Sequence, residues 1–389
     1  MPPFLNEPTS TSSVNDHDAD HPTAEAKQEP HNGTAQPTHW SPTNAAEFDL
    51  RSDTITTPTP AMLAAITATT LQDDVFTEDP TTNALESFIA ELTGKPAALL
   101  VLSGTMGNQL AMRAHLTAPP YSVLADARSH IMAWEAGGLA LLTGAMASPI
   151  LPMQKAEGGH LTLEDIQAHA VLDDDVHHAP TRLVCLENTL GGSILPLSTC
   201  QAISAWALAQ SPSIPLHLDG ARLWDAVAAG AGTLQEYCAC FDSVSLCFSK
   251  GLGAPMGSII VGEKSFIAKA RHFRKAIGGG WRQSGVIAAA ARVAVEETFL
   301  GGKLRLGHEK AKKVERMWVE KRGRLVRKVE TGMCWLDLEG SGVDAESWER
   351  ACRGEGVKVS GRGRVVCHYQ TSDETLTRLA RAMNVVLQP

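Results

Sequence analysis

Branched apolar residues are almost missing from the first 47 positions, which are rich in Thr, Pro, Asn, Asp and His. Such a stretch cannot bury enough surface to offset the entropy of ordering it, so residues 1–47 are expected to form a disordered acidic tail. The tail also lacks the apolar core of a secretory signal, and it has no arginine before Arg51, which argues against a mitochondrial presequence. Bases are scarce there: eight acids face one base, Lys27, within residues 1–50, so most of the net charge of −9 sits at this end. The remainder is close to neutral and carries no general nucleic-acid footprint. Nor is there a membrane-like run. The longest uncharged stretch, Ala136–Gln154, holds Gly137, Gly138, Gly144, Pro149 and Pro152, and reads as a core helix and strand rather than a span. The eight cysteines make no metal-type pair, since Cys238 and Cys240 are too close for a C-x-x-C site. Reduced thiols in a cytoplasmic protein are expected, with no metal.

What is present is a 389-residue chain with 43% hydrophobic residues, enough for a large domain and a smaller one. From residue 97, apolar runs alternate with helical patterns. Strands are expected at AALLVL (97–102), SVLAD (122–126), RLVCLEN (182–188), PLHLD (215–219), SVSLCF (243–248) and GSIIVG (257–262). That alternation implies an α/β fold with a mainly parallel sheet and helices on both faces. Residues 303–328 then hold eleven Lys and Arg against three acids, with Leu304, Val314, Met317, Trp318, Leu325 and Val326 on an apolar side. A solvated amphipathic helix is expected there, with a basic nucleic-acid arm as the lesser reading. MCWLDL (333–338), GVKVS (356–360) and RVVCH (364–368) are expected strands of a compact C-terminal α/β unit. The expected division is residues 48–300 for the large domain and 301–389 for the small one.

Three polar residues fall at strand ends, where ligands bind in such sheets: Ser103, Asp219 and Lys250. Lys250 follows a buried strand and opens a glycine-rich loop, SKGLGAPMG. An ammonium there costs free energy unless it has a partner or is bonded to something. Asp219, in HLDGAR, ends the preceding strand. It either caps the helix after it or holds a heteroaromatic nitrogen protonated. The lysine-plus-acid pairing, 31 residues apart across one helix and one strand, favours an aldehyde cofactor, pyridoxal 5'-phosphate (PLP), bonded to Lys250. In LSGTMGNQ, a strand runs through Ser-Gly-Thr into a helix. The amides of Gly104 and Thr105, with Met106 beside them, would suit a phosphate, and capping by Ser103 or Thr105 is compatible with that role.

The stretches FDLRSDTITTPTPAM (48–62), DDVFTEDPTTNALE (73–86), SGTMGNQ (103–109), SHIMAWEAGG (129–138), LENT (186–189), HLDGAR (217–222), DSVSLCFSKGLGAPMGS (242–258) and GGGWRQSG (278–285) stand in one order across residues 48–300. Together they resemble the low-specificity L-threonine aldolases, fold-type I PLP enzymes related to β-eliminating lyases. HEKA (308–311) and RVVCH match more loosely. The resemblance implies that Lys250 carries the cofactor, Asp219 faces its ring nitrogen, and His130 stacks on the ring. It places Arg222 near cofactor and substrate, Ser52 and Arg364 on the substrate carboxylate, and Arg282 near the phosphate across a subunit boundary. His177, rather than His178, matches a further histidine of the family. Arg51 and Asp53 read as structural ion-pair partners.

The implied reaction is retro-aldol cleavage of threonine, allo-threonine or a related β-hydroxy-α-amino acid to glycine and an aldehyde. His130, His177 or a water activated by either would take the hydroxyl proton. A homodimer or homotetramer in the cytoplasm, with sites at the subunit interface, is implied too. The open alternatives are a PLP β-eliminating lyase or aminotransferase on the same fold, and a cofactor-binding protein without activity. Phe76, Leu190 and Trp281 stand where the family usually has tyrosine, histidine and methionine.

Overall fold

The computed structural model describes residues 46–153, 159–173 and 175–387. The expected tail, residues 1–47, lies almost wholly outside them. Seven strands build the main sheet: β1 (Ala97–Val101), β2 (Ser122–Asp126), β3 (Met146–Ile150), β4 (Thr181–Glu187), β5 (Leu216–Asp219), β6 (Ser243–Cys247) and β7 (Ser258–Gly262). Their spatial order is β1-β7-β6-β5-β4-β2-β3. All neighbouring pairs from β6 to β3 are parallel, while β7 runs antiparallel to both β1 and β6. The mainly parallel α/β sheet expected from the sequence is therefore present. Strands β2, β5, β6 and β7 are buried at every position, as continuous apolar runs covered on both faces should be. The stretch 136–154 does hold a helix, Gly138–Thr143, and a strand, but β3 is an exposed edge rather than core.

Three further strands make a second, antiparallel sheet in the order β10-β9-β8: β8 (Arg324–Leu325), β9 (Met333–Asp337) and β10 (Arg364–Val366). GVKVS is not a strand. It contributes a single bridge, Asp49 to Lys358, because its hydrogen bonds go to the Phe48–Leu50 stretch instead of to the sheet. The basic segment forms the helix Leu304–Glu320, which ends before Leu325 and Val326. It buries Leu304, Ala311, Val314 and Trp318, so it is an amphipathic packing element. Leu50 joins the same apolar cluster, and its carbonyl accepts from the Val366 amide at 2.8 Å. That anchoring carries Ser52 and Asp53 toward the ends of the main-sheet strands. No helix among the described residues is long and apolar enough to cross a membrane.

Candidate active site

A cleft of about 530 Å³ opens at these strand ends, lined among others by Ser52, His130, Glu187, Arg222, Lys250 and Arg364. Five of these six were expected from the sequence. His130, Glu187, Arg222 and Lys250 are placed by the ends of main-sheet strands or the turns after them, Arg364 by the start of β10 and Ser52 by the stretch after Leu50. Lys250 comes three residues after β6, in a turn fixed by Thr56 Oγ1 and the Gly253 amide, which both donate to its carbonyl at 2.8 and 2.9 Å. His130 opens a short helix after β2, and its backbone N–H donates to Glu187 Oε2 at 2.7 Å. Glu187 ends β4 directly beside Asp219 at the end of β5.

Asp219 is buried, only 4% exposed. Asn108 Nδ2 donates to its Oδ2 at 2.8 Å and the Ala221 amide to its Oδ1 at 3.0 Å. Both donors are neutral, and no ion pair to Asp219 exists among the described residues. A buried carboxylate so placed calls for a cationic ligand above it. His130 Nδ1 lies 2.8 Å from Glu135 Oε1, and His130, Glu135 and Asp219 bring a polar atom each within 4.8 Å of one another. The bond to Glu135 raises the His130 pKa, against burial and with help from Asp219. Burial pushes Glu187 up to about 8, with Asp219 adding to it and the His130 amide, Lys250 and His130 opposing.

The arginines divide their work. Arg222 is clamped by Asp53, with Nε–Oδ2 at 2.9 Å and Nη2–Oδ1 at 2.6 Å. Burial opposes ionisation of Asp53, yet Arg222, Lys250 and Arg364 hold its carboxyl well below the usual range. Asp53 is thus an ion-pair partner, as is Asp49 for Arg51. Arg364, in contrast, keeps a buried Nε with no hydrogen-bond partner, and burial together with the Arg222 charge lowers its pKa.

The helix Gly104–His115 begins at the same sheet end. Ser103 Oγ caps it by accepting from the Met106 amide at 3.2 Å, which leaves the first-turn amides of Gly104 and Thr105 outside the helical bonding. Gly104 is needed for the fit: a Cβ there would lie 2.8 Å from Cys247 Sγ, three residues before Lys250. Two expected residues are not gathered by the single chain. His177 is exposed and bonded to Asp175 at 2.8 Å, and Arg282 is exposed and paired with Asp73 at 2.7 Å. Asn108, Glu135 and Glu187 were missed, although each lies inside one of the quoted motifs. Only their place inside those motifs could have signalled them, since none is adjacent in sequence to a predicted site residue.

Residues 49–340 match the family model described as beta-eliminating lyase. An aldolase, vrtJ, of Penicillium aethiopicum is 56% identical over 92% of this chain and 90% of its own. The alanine racemase TOXG of Cochliobolus carbonum is 44% identical, covering 85% of each chain. A low-specificity L-threonine aldolase of Eremothecium gossypii is likewise 44% identical, over 87% of each. Among solved structures, the Leishmania major threonine aldolase superposes with a TM-score of 0.71 at 19% identity, over 87% of this chain and 98% of that one, and so shares the fold. With three quarters of its length matched by one family model, and strand ends that assemble the lysine, aspartate, histidine and arginines its motifs announced, the chain belongs to the beta-eliminating lyase family.

Proposed function

We propose that the protein uses PLP to cleave β-hydroxy-α-amino acids of the threonine and allo-threonine type, releasing glycine and an aldehyde. The observation that carries this reading is Asp219, a buried carboxylate without a cationic partner among the described residues, one strand away from Lys250 and close to His130. The residues fit the cofactor. Lys250 would bond its aldehyde, Asp219 would face its ring nitrogen, His130 would cover the ring, and the amides of Gly104 and Thr105 would hold its phosphate. When bound, PLP supplies a sink for the electron pair left on Cα as the Cα–Cβ bond breaks.

The chain's own residues do the positioning. Arg364, with its unpartnered Nε, and Ser52 grip the substrate carboxylate, and Arg222 stands beside them in a fixed rotamer imposed by Asp53. This grip selects which bond at Cα stands perpendicular to the ring. His130, its Nδ1 committed to Glu135, keeps Nε2 for the β-hydroxyl proton. Arg282 serves a neighbouring subunit's phosphate in a homodimer or homotetramer, while His177 has no part in the cleft of the single chain. We keep the division into residues 48–300 and 301–389, bridged by the stretch around Leu50. The eight cysteines are buried and unpaired, which suits a reducing compartment, and we place the reaction in the cytoplasm.

Incubation with paired threo and erythro substrates should release aldehyde and glycine in equal amounts, and Lys250→Ala should release neither. Ammonia with a keto acid, in place of glycine, would overturn the assignment in favour of elimination. The 44% identity to a protein named alanine racemase makes racemisation the second reading. It would show as exchange between L- and D-alanine without aldehyde release from any β-hydroxy substrate.

A further inference from the structure

Behind Asp219, away from the cleft, four polar side chains form one continuous chain of hydrogen bonds. His115 Nε2 lies 2.8 Å from Ser243 Oγ, Ser243 Oγ 2.9 Å from His217 Nδ1, and His217 Nε2 3.1 Å from Asn108 Oδ1. Asn108 Nδ2 then reaches Asp219 Oδ2 at 2.8 Å and Glu135 Oε1 at 2.8 Å. The helix Gly104–His115 supplies both outer members, seven residues apart on one face. The sheet supplies the middle pair, since His217 and Ser243 are direct neighbours across β5 and β6.

The chemistry gives this chain a single direction. A carboxylate oxygen only accepts, so the Asn108 NH2 group faces Asp219 and Glu135, and its oxygen faces His217. That oxygen accepts, so His217 carries its proton on Nε2. Burial holds His217 down to about 3 and His115 to about 4, so each ring is neutral with one N–H. His217 Nδ1 must then accept from the Ser243 hydroxyl, and Ser243 Oγ accepts from His115 Nε2–H. Every tautomer and rotor is fixed, and reversing any one breaks the line to Asp219.

We infer that His115, Ser243, His217 and Asn108 form a one-way relay that aims Asp219 at the cofactor's ring nitrogen, making two histidines outside the cleft, His217 buried and His115 half-buried, positioning residues for the reaction. The inference rests on the cofactor reading above. Polar networks of this kind couple neighbouring bonds, and partners one shell away from a site commonly change its affinity by tenfold or more.

The test uses holoenzyme variants at the far end of the relay. His115→Phe keeps the stack on Phe266, whose ring lies 4.6 Å away, but removes the donor. His115→Gln retains an N–H donor. Ser243→Ala breaks the middle link with a small change in volume. The readouts are PLP affinity by reconstitution, the pH midpoint of the bound cofactor's visible absorbance, and kcat. His115→Phe is expected to weaken PLP binding about threefold and Ser243→Ala about tenfold, with a shifted absorbance midpoint in both. His115→Gln should stay near wild type. If both disrupting variants merely unfold at lower temperature, with wild-type PLP affinity and midpoint, the relay is only packing and the inference falls. If the wild-type protein itself binds no PLP, the functional reading fails first, and the two failures are told apart.

Discussion

Glu187 shows how one buried residue couples the site to stability. Its folded-state pKa stands at about 8 against an ordinary 4.5, because burial and the neighbouring Asp219 disfavour its charge. Between those values the folded chain holds a proton that the unfolded chain has released. Stability of the cofactor-free protein therefore falls as pH rises through this window. Glu187→Gln should flatten that fall in a thermal-midpoint series across pH, and an unchanged slope would remove Glu187 as its cause. Lys250 and Asp219 were legible in the sequence because a charged residue ending an apolar run, followed by glycine, marks a strand end. Asn108 and Glu135 were not, since their roles rest on partners set by folding: Asn108 meets Asp219 across 111 positions and Glu135 across 27.

At the scale of elements, the apolar runs predicted β1, β2, β4, β5, β6 and β7 to within a residue or two, because strands buried on both faces need no partner to declare themselves. GVKVS misled for the opposite reason. Its alternation is that of a half-buried strand, but its neighbour is the Phe48–Leu50 stretch, which no local pattern announces. The helix Gly104–His115 gives a prediction of its own. Gly104→Ala places a methyl group 2.8 Å from Cys247 Sγ, so the helix start or the Cys247 side chain must shift beside the Lys250 turn. PLP affinity should fall about tenfold by equilibrium reconstitution, with the helix itself unharmed by far-ultraviolet dichroism, since alanine favours helix. Unchanged affinity would mean the phosphate is held elsewhere.

For the whole molecule, two expected site residues, His177 and Arg282, do not line the cleft of their own chain, and Arg282 is the informative one. If each site joins Lys250 of one subunit to Arg282 of another, Lys250→Ala and Arg282→Ala chains should each be nearly inactive alone. Mixed and reassembled, they should recover roughly a quarter of wild-type activity, because half the dimers would hold one intact site. No recovery in verified mixed oligomers would confine the site to one chain.

The most direct measurement concerns the bond on which the functional account depends. Holoenzyme reduced with borohydride and digested should yield one pyridoxyl-modified peptide, carrying the group on Lys250. Modification of a different lysine, or none in protein saturated with PLP, would contradict the account.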